Sequence, residues 1–264
     1  MRFLAIGLLL VCPMALAQPD PFPKVAASYL VEVNGKLLWE RQAKQQLPPA
    51  SLTKLMTALL LVEQGQKQAI ITVSRAAAQE SGSRIGIKAG EQFHVEELLA
   101  AALIASGNDA CHALADYAAG SEARFVQMMN RRARQLGLRH THFANACGHD
   151  APEHYSSTGD LALLSRELIK HPEILALTAK PQMQITTLDG AHEYRFESKN
   201  ALIGRYPGAL GLKSGYTPNA GKCLIAYAKR GGTEVLLVML HGHDRWWDAA
   251  DILDIAFAHA PAHS

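Results

Sequence analysis

Apolar and polar residues alternate with a period of two near both ends of the chain and recur at helical spacing through its middle. Residues 27–40, ASYLVEVNGKLLWE, form two strand-like runs around Asn34-Gly35, a strong hairpin signal. Late in the chain KCLIAYAK and TEVLLVMLHG flank Arg230-Gly231-Gly232 and predict a second hairpin. Between them, 51–64, 95–105, 109–118, 121–136 and 159–170 carry helical periodicity. A last helix is predicted from about Trp246 to Ala258. Its Trp246, Ile252, Leu253, Ile255 and Phe257 read as packing residues, and Asp248, Asp251 and Asp254 as a wet acidic face that disfavours membrane binding. With β ends and an α middle, the economical fold is mixed α/β (α+β). Hairpins from both ends join one antiparallel sheet flanked by helices, and an inserted, mainly helical subdomain over roughly 75–160 forms a second lobe. A cleft is expected between the lobes.

One predicted helix breaks local rules. In SLTKLMTALL, residues 51–60, Lys54 sits in the first turn, where the unpaired N–H groups disfavour a cation. Leu55, Met56, Ala58, Leu59, Leu60, Leu61 and Val62 then cover nearly the whole circumference, the pattern of a helix buried all round. A violation of propensity and electrostatics confined to one spot points to function.

The 264 residues, 48% hydrophobic and 19% charged, are ordinary for a globular protein. No repeat or low-complexity linker divides them. A net charge of +2 implies no polyanionic partner, so nucleic acid is not expected. Met1 to Ala17 combines Arg2, the apolar run FLAIGLLLV and the small-residue end Ala15-Leu16-Ala17, which reads as a secretory signal peptide before one domain over 18–264. Val11 before Cys12 speaks against lipidation, and the run is short for a stable membrane anchor. After processing, Cys111, Cys147 and Cys223 remain, which allows at most one bridge among three pairings. Small buried thiols are the favoured reading.

Ser51 and Lys54 are three apart and share a helix face, so the amine can reach the hydroxyl. Burial, the positive helix end and any second cation push a lysine toward its neutral form, a usable base. The Ser51 N–H can face a developing oxyanion. Ser-x-x-Lys alone also fits an N-cap and a solvated lysine. Ser106-Gly107-Asn108 falls between two helices, where turn chemistry explains all three residues, unless Ser106 relays a proton and Asn108 faces a substrate. Lys213-Ser214-Gly215 is placed at the end of a strand bordering the sheet. There Gly215 admits a ligand backbone, and Lys213 with the Ser214 hydroxyl can hold a carboxylate.

The order S-x-x-K, S-G-N, K-S-G is a known motif set of penicillin-recognising enzymes. On these triplets, and on PASLTKLMT, ASGNDACHALADYAAGSEARFVQMMN, LGLRHTHFAN, HDAPEHYSSTGDLALL and GLKSGYTPNAGKCLIAYAKR, the chain resembles the low-molecular-mass penicillin-binding proteins of the D-alanyl-D-alanine carboxypeptidase family. The resemblance implies a β-lactamase/transpeptidase-like fold with a sheet of about five strands. It also implies a serine D,D-carboxypeptidase that acts on the D-Ala-D-Ala terminus of peptidoglycan stem peptides without a cofactor. Ser51 is then the nucleophile, Lys54 its base and Ser106 the proton relay. Asn108, Lys213, Ser214, Gly215 and Tyr216 are expected to bind substrate, the N–H groups of Ser51 and Tyr216 to form the oxyanion hole, and β-lactams to acylate Ser51. K-S-G replaces the commoner K-T-G and keeps the hydroxyl. The chain ends soon after Phe257, where better-known members continue into a β domain and an amphipathic tail, so a soluble periplasmic or extracytoplasmic protein is expected.

A D,D-endopeptidase cutting D-alanyl cross-links uses the same chemistry and is the alternative. A β-lactamase needs Glu-x-x-Leu-Asn, and Glu153, Glu167 and Glu173 are not followed by it. His140-x-His142 and His241-x-His243 lack a third ligand, so no metal is expected. Trp246-Trp247 reads as helix packing.

Overall fold

The computed structural model describes residues 20–260, so the signal peptide expected over Met1 to Ala17 lies outside the described residues. In chain order the elements are β1 (Ala26–Val33), β2 (Lys36–Arg41), a 3-10 turn (Ala50–Thr53), α1 (Lys54–Gln64), β3 (Ile70–Thr72), α2 (Arg75–Ala78), β4 (Gln92–His94), α3 (Val95–Ile104), α4 (Asn108–Ala119) and α5 (Glu122–Gln135). They continue with α6 (Thr158–Ile169), α7 (Pro172–Thr178), β5 (Gln182–Thr186), β6 (Glu193–Glu197), β7 (Ala209–Thr217), β8 (Gly221–Arg230), β9 (Thr233–Gly242) and α8 (Arg245–Ala258).

The main sheet has five antiparallel strands in the order β2-β1-β9-β8-β7. Asn34 (φ 49°) and Gly35 (φ 73°) take the left-handed conformations that a tight two-residue hairpin turn requires. The β1–β9 pairing, with Leu30 opposite Val238, joins the two ends of the chain. This leaves β7 on the edge, bearing Lys213–Gly215. The strand expected to border the sheet is β7, and it continues past the triplet to Thr217, so Lys213–Gly215 lie within it rather than at its end.

β1, β8 and β9 are buried on both faces. Leu30, Ile225, Leu236 and Val238 point to the layer of helices α1 and α3–α7, while Tyr29, Val31, Leu224, Leu237 and Met239 point to α8. The result is three layers with the sheet in the middle. α1 runs through the helical layer, and every residue from Lys54 to Val62 is buried, as its uninterrupted apolar pattern requires.

The short pairs β3–β4 and β5–β6 were not legible in the sequence, because runs of three to five residues carry little periodicity. Two readings of the last helix need correction. Trp246 lies beneath the Arg245 guanidinium at 4.4 Å, but Trp247 is 75% exposed, so packing explains only the first tryptophan. Ile255 is also 38% exposed. Among the described residues no helix is long and apolar enough to cross a membrane.

Candidate active site

The chain reverses at Pro49 into the 3-10 turn, whose second residue is Ser51, and α1 starts at Lys54. Ala50, immediately before Ser51, has φ 49°, and Ser106, between α3 and α4, has φ 61°. Non-glycine residues rarely adopt this conformation, and such strain collects at functional sites.

Lys54 is 1% exposed. Its Nζ donates to Asn108 Oδ1 at 2.7 Å and to the Cys147 backbone oxygen at 2.7 Å, and it lies 3.1 Å from Ser51 Oγ. Burial lowers its pKa from the ordinary lysine value to about 7, against the opposing pull of Glu80 and Asp109. The two carbonyl oxygens can only accept. A neutral lysine has two N–H groups and one lone pair, so when both hydrogens are taken the lone pair is left for the Ser51 hydroxyl.

The second triplet meets the first through that Asn108 contact and meets the third through Ser106, whose Oγ accepts from Lys213 Nζ at 2.9 Å. Lys213 also donates to the Ser214 backbone oxygen at 2.8 Å. It is 1% exposed, and burial, then repulsion from Lys54 and Arg245, holds it well below the ordinary lysine range. The third triplet meets the first through Gly215, where an added Cβ would sit 2.9 Å from Ser51 N and 3.3 Å from Pro49 O. The three motifs therefore form a closed triangle around Ser51.

Several expected residues face differently from the way their types suggest. Asn108 does not present its amide to open space: Oδ1 accepts from Lys54, and Nδ2 donates to Ser81 O at 2.6 Å. What approaches Gly215 is the protein's own Pro49–Ser51 turn. The Ser214 hydroxyl donates to Lys199 O at 3.0 Å, leaving its lone pairs but not its hydrogen. Tyr216 follows on the edge strand with 63% exposure.

Other contributors escaped the sequence reading. Segment 145–149 has no regular secondary structure, yet it supplies the Cys147 oxygen to Lys54 and the Ala146 oxygen to Thr57 Oγ1 at 2.8 Å. Gly148 (φ 91°) lies so close to Ala50 that a Cβ there would come within 2.9 Å of Ser51 N. Asp109, fully buried, accepts from Gly86 N at 2.8 Å and Ile85 N at 3.1 Å and so ties the 81–87 strap over the start of α4. Arg245 Nη1 donates to Gly215 O, while its buried Nε has no partner. Only the charges could have been suspected from the sequence, since a backbone oxygen has no residue-type signature. The cysteines also correct the reading: Cys111 and Cys147 form a disulfide with Cα atoms 5.9 Å apart, and among the described residues Cys223 is the remaining, free and buried cysteine.

Beside Ser106 lies a cavity of about 960 Å³, lined in part by Ser83, Arg84, Ala105, Arg195, Phe196 and Lys199. Among the described residues no three His, Cys, Asp or Glu side chains are grouped to hold a metal ion.

The sheet architecture and the buried lysine beside Ser51 fit a serine peptidase. Residues 17–244 match the D-alanyl-D-alanine carboxypeptidase family, Peptidase_S11. The chain is 35% identical to D-alanyl-D-alanine carboxypeptidase DacF of Bacillus subtilis, over 98% of this chain and 71% of that protein. The crystal structure of a D-alanyl-D-alanine carboxypeptidase from Mycobacterium tuberculosis superposes with a TM-score of 0.86 at 30% identity, covering 95% of this chain and 97% of that one. Penicillin-binding protein D2 of Listeria monocytogenes, in an ampicillin-bound form, is similar with a TM-score of 0.78 at 34% identity, over 89% and 98% of the two chains. The chain belongs to the D-alanyl-D-alanine carboxypeptidase family.

Proposed function

We propose that the protein removes the terminal D-alanine from peptidoglycan stem peptides through an acyl-enzyme on Ser51. The observation that carries this is the setting of Lys54: buried, inclined to be neutral near pH 7, and beside Ser51 with two carbonyl acceptors for its hydrogens.

Ser51 Oγ attacks the carbonyl carbon between the last two D-alanines as its proton passes to Lys54 Nζ. The N–H groups of Ser51 and Tyr216 receive the oxyanion. Ser106 accepts a hydrogen bond from Lys213, so its own hydroxyl hydrogen is free to pass to the leaving amine, and a proton from Lys54 replaces it. The peptide C–N bond breaks, free D-alanine leaves, and water activated by Lys54 hydrolyses the ester.

The substrate's terminal carboxylate is bound by Lys213 and, through a bridging water that donates to both, by the Ser214 oxygen, while Arg245, 30 residues beyond Gly215, reaches the same strand by donating to Gly215 O. A carboxylate there favours a proton on Lys213, and a charged Lys213 disfavours one on Lys54. Substrate binding thus helps keep the base free. Asn108 holds Lys54 and reaches substrate only if it gives up Ser81. The cavity beside Ser106 accommodates the peptide leading to the scissile bond, and its cations Arg84, Arg195 and Lys199 outnumber its carboxylate Glu197, which suits an anionic chain. β-Lactams acylate the same oxygen. The disulfide supports an oxidising, extracytoplasmic location, in keeping with a secretory leader over Met1 to Ala17.

The test is to incubate the purified protein with a pentapeptide-bearing muropeptide and, separately, with a cross-linked dimer, and to identify products by mass. Free D-alanine from the monomer alone is the expected result. Monomers released from the dimer would replace this reading with an endopeptidase.

A further inference from the structure

Lys54 is held by two oxygen atoms from distant parts of the chain, and one covalent bond joins those parts. Asn108, the first residue of α4, supplies Oδ1 at 2.7 Å, and Cys147 supplies its backbone oxygen at 2.7 Å. Cys111 lies three residues beyond Asn108 on the same side of α4 and is bonded to Cys147 itself. Both cysteines are buried, at 0% and 1% exposure. Without the bridge, the 145–149 segment keeps its turn through Asn145 Oδ1, which accepts from Gly148 N at 2.7 Å and His149 N at 3.0 Å. It also keeps Ala146 N on Glu122 at 2.9 Å and Ala146 O on Thr57 Oγ1 of α1 at 2.8 Å. None of those contacts ties Cys147 to α4.

We propose that the Cys111–Cys147 disulfide is a positioning element for the Ser51–Lys54 pair, setting the separation of the two acceptors that orient the Lys54 amine toward the Ser51 hydroxyl. The cysteines touch no substrate and act through Lys54. The inference rests on Lys54 serving as the base, as proposed above. It follows from how an amine is oriented: with one acceptor fixed and the other free to drift, the amine rotates and its lone pair leaves the hydroxyl. Groups facing Lys54 from the packed elements are Lys213 on β7, Glu80 after α2 and Asp109 on α4. The bridge changes none of these charges, so its effect is one of geometry and of water access. Opening it takes two electrons from a phosphine, which takes up the oxygen of a water and leaves as the phosphine oxide, and the two protons of that water, and it leaves two thiols.

The experiment measures acylation by a fluorescent penicillin from acidic to alkaline pH. It compares the oxidised full chain, the same protein reduced by a phosphine without denaturant, and the variants C111A/C147A and C111S/C147S. Thiol titration follows the opening, and near-UV circular dichroism follows the fold. With the bridge open, acylation should fall on the order of 10-fold to 100-fold, the range expected when reacting groups are misplaced by about 1 Å. The pH midpoint should also move alkaline from about 7, as water reaches the amine. An unchanged rate and midpoint with both thiols titrating overturns the inference, as does a slower rate at an unmoved midpoint, which a purely structural bridge would produce. Variants that fail to fold leave the reduced natural chain to decide, and a chain that resists the phosphine leaves the folded variants. Labelling that persists in Ser51→Ala sinks the serine–lysine reading itself, whereas bridge-insensitive labelling at Ser51 sinks only the positioning role.

Discussion

The two faces of the central sheet bury different kinds of residue. Toward α8 the interior is almost entirely apolar, with Val31, Trp39, Leu224, Leu237, Met239, Ile252 and Leu253 in contact. Toward the helical layer the same sheet shelters Lys54, Lys213, Asp109, Ser106 and Asn108 among its leucines and alanines. Desolvating such groups costs several kcal/mol unless each finds partners. Each does: Lys54 has two carbonyls, Lys213 a hydroxyl and a carbonyl, and Asp109 the backbone of the 81–87 strap. One face therefore serves stability, while the other spends stability on a reactive arrangement.

Breaking the second face should leave the first standing. Ser51→Ala should abolish penicillin labelling and lower D-alanine release on the order of 10⁴-fold or more, with the melting temperature nearly unchanged. Mass spectrometry of the labelled protein and a D-alanine assay check both. Lys54→Met, which keeps length and removes the base, should cost on the order of 10²-fold to 10⁴-fold in acylation rate and raise rather than lower thermal stability, since a buried amine disappears. Retained acylation would remove Lys54 from the mechanism.

The natural chain's acylation rate should rise with pH through a midpoint of about 7, because only the neutral amine can take the serine proton. A rate that instead falls with pH across that range would assign the active form to a charged lysine. The opposite face gives the reverse signature. Leu237→Ala should cost about 2–5 kcal/mol in denaturant unfolding, as for other buried leucines, and leave the midpoint of the pH profile in place. Ser214→Thr should be the mildest change, within about 3-fold in activity, because the hydroxyl that meets Lys199 O is retained.

How far each feature could be read depended on whether its cause was local. Asn34-Gly35 specified its turn through backbone conformations that few residues adopt, and α1 declared its burial through consecutive apolar residues. Lys54 stood out because it violates both patterns. Ser106 and Asn108 could be picked out only through the order of the three triplets, since serine, glycine and asparagine between helices need by themselves no more explanation than a turn. Gly148 looks like any other glycine until Ala50 and Ser51 are seen against it, and Gly215, expected to face a ligand backbone, meets the same turn. The bridge could not be chosen among three pairings, because disulfide formation depends on Cα atoms approaching to 5.9 Å across 36 residues of chain.

The amino-acid order by itself determined the hairpins, the buried helix, the layer arrangement and the triplets that mark the family. These follow from short-range periodicity and turn chemistry, which act between neighbours. Only the tertiary structure decided which atoms surround Lys54, because a proton affinity is set by the solvent excluded and the dipoles gathered in three dimensions. Residues 51, 108 and 147 share no local signal, and the packing of α1 between sheet and helices brings them to the single amine of Lys54.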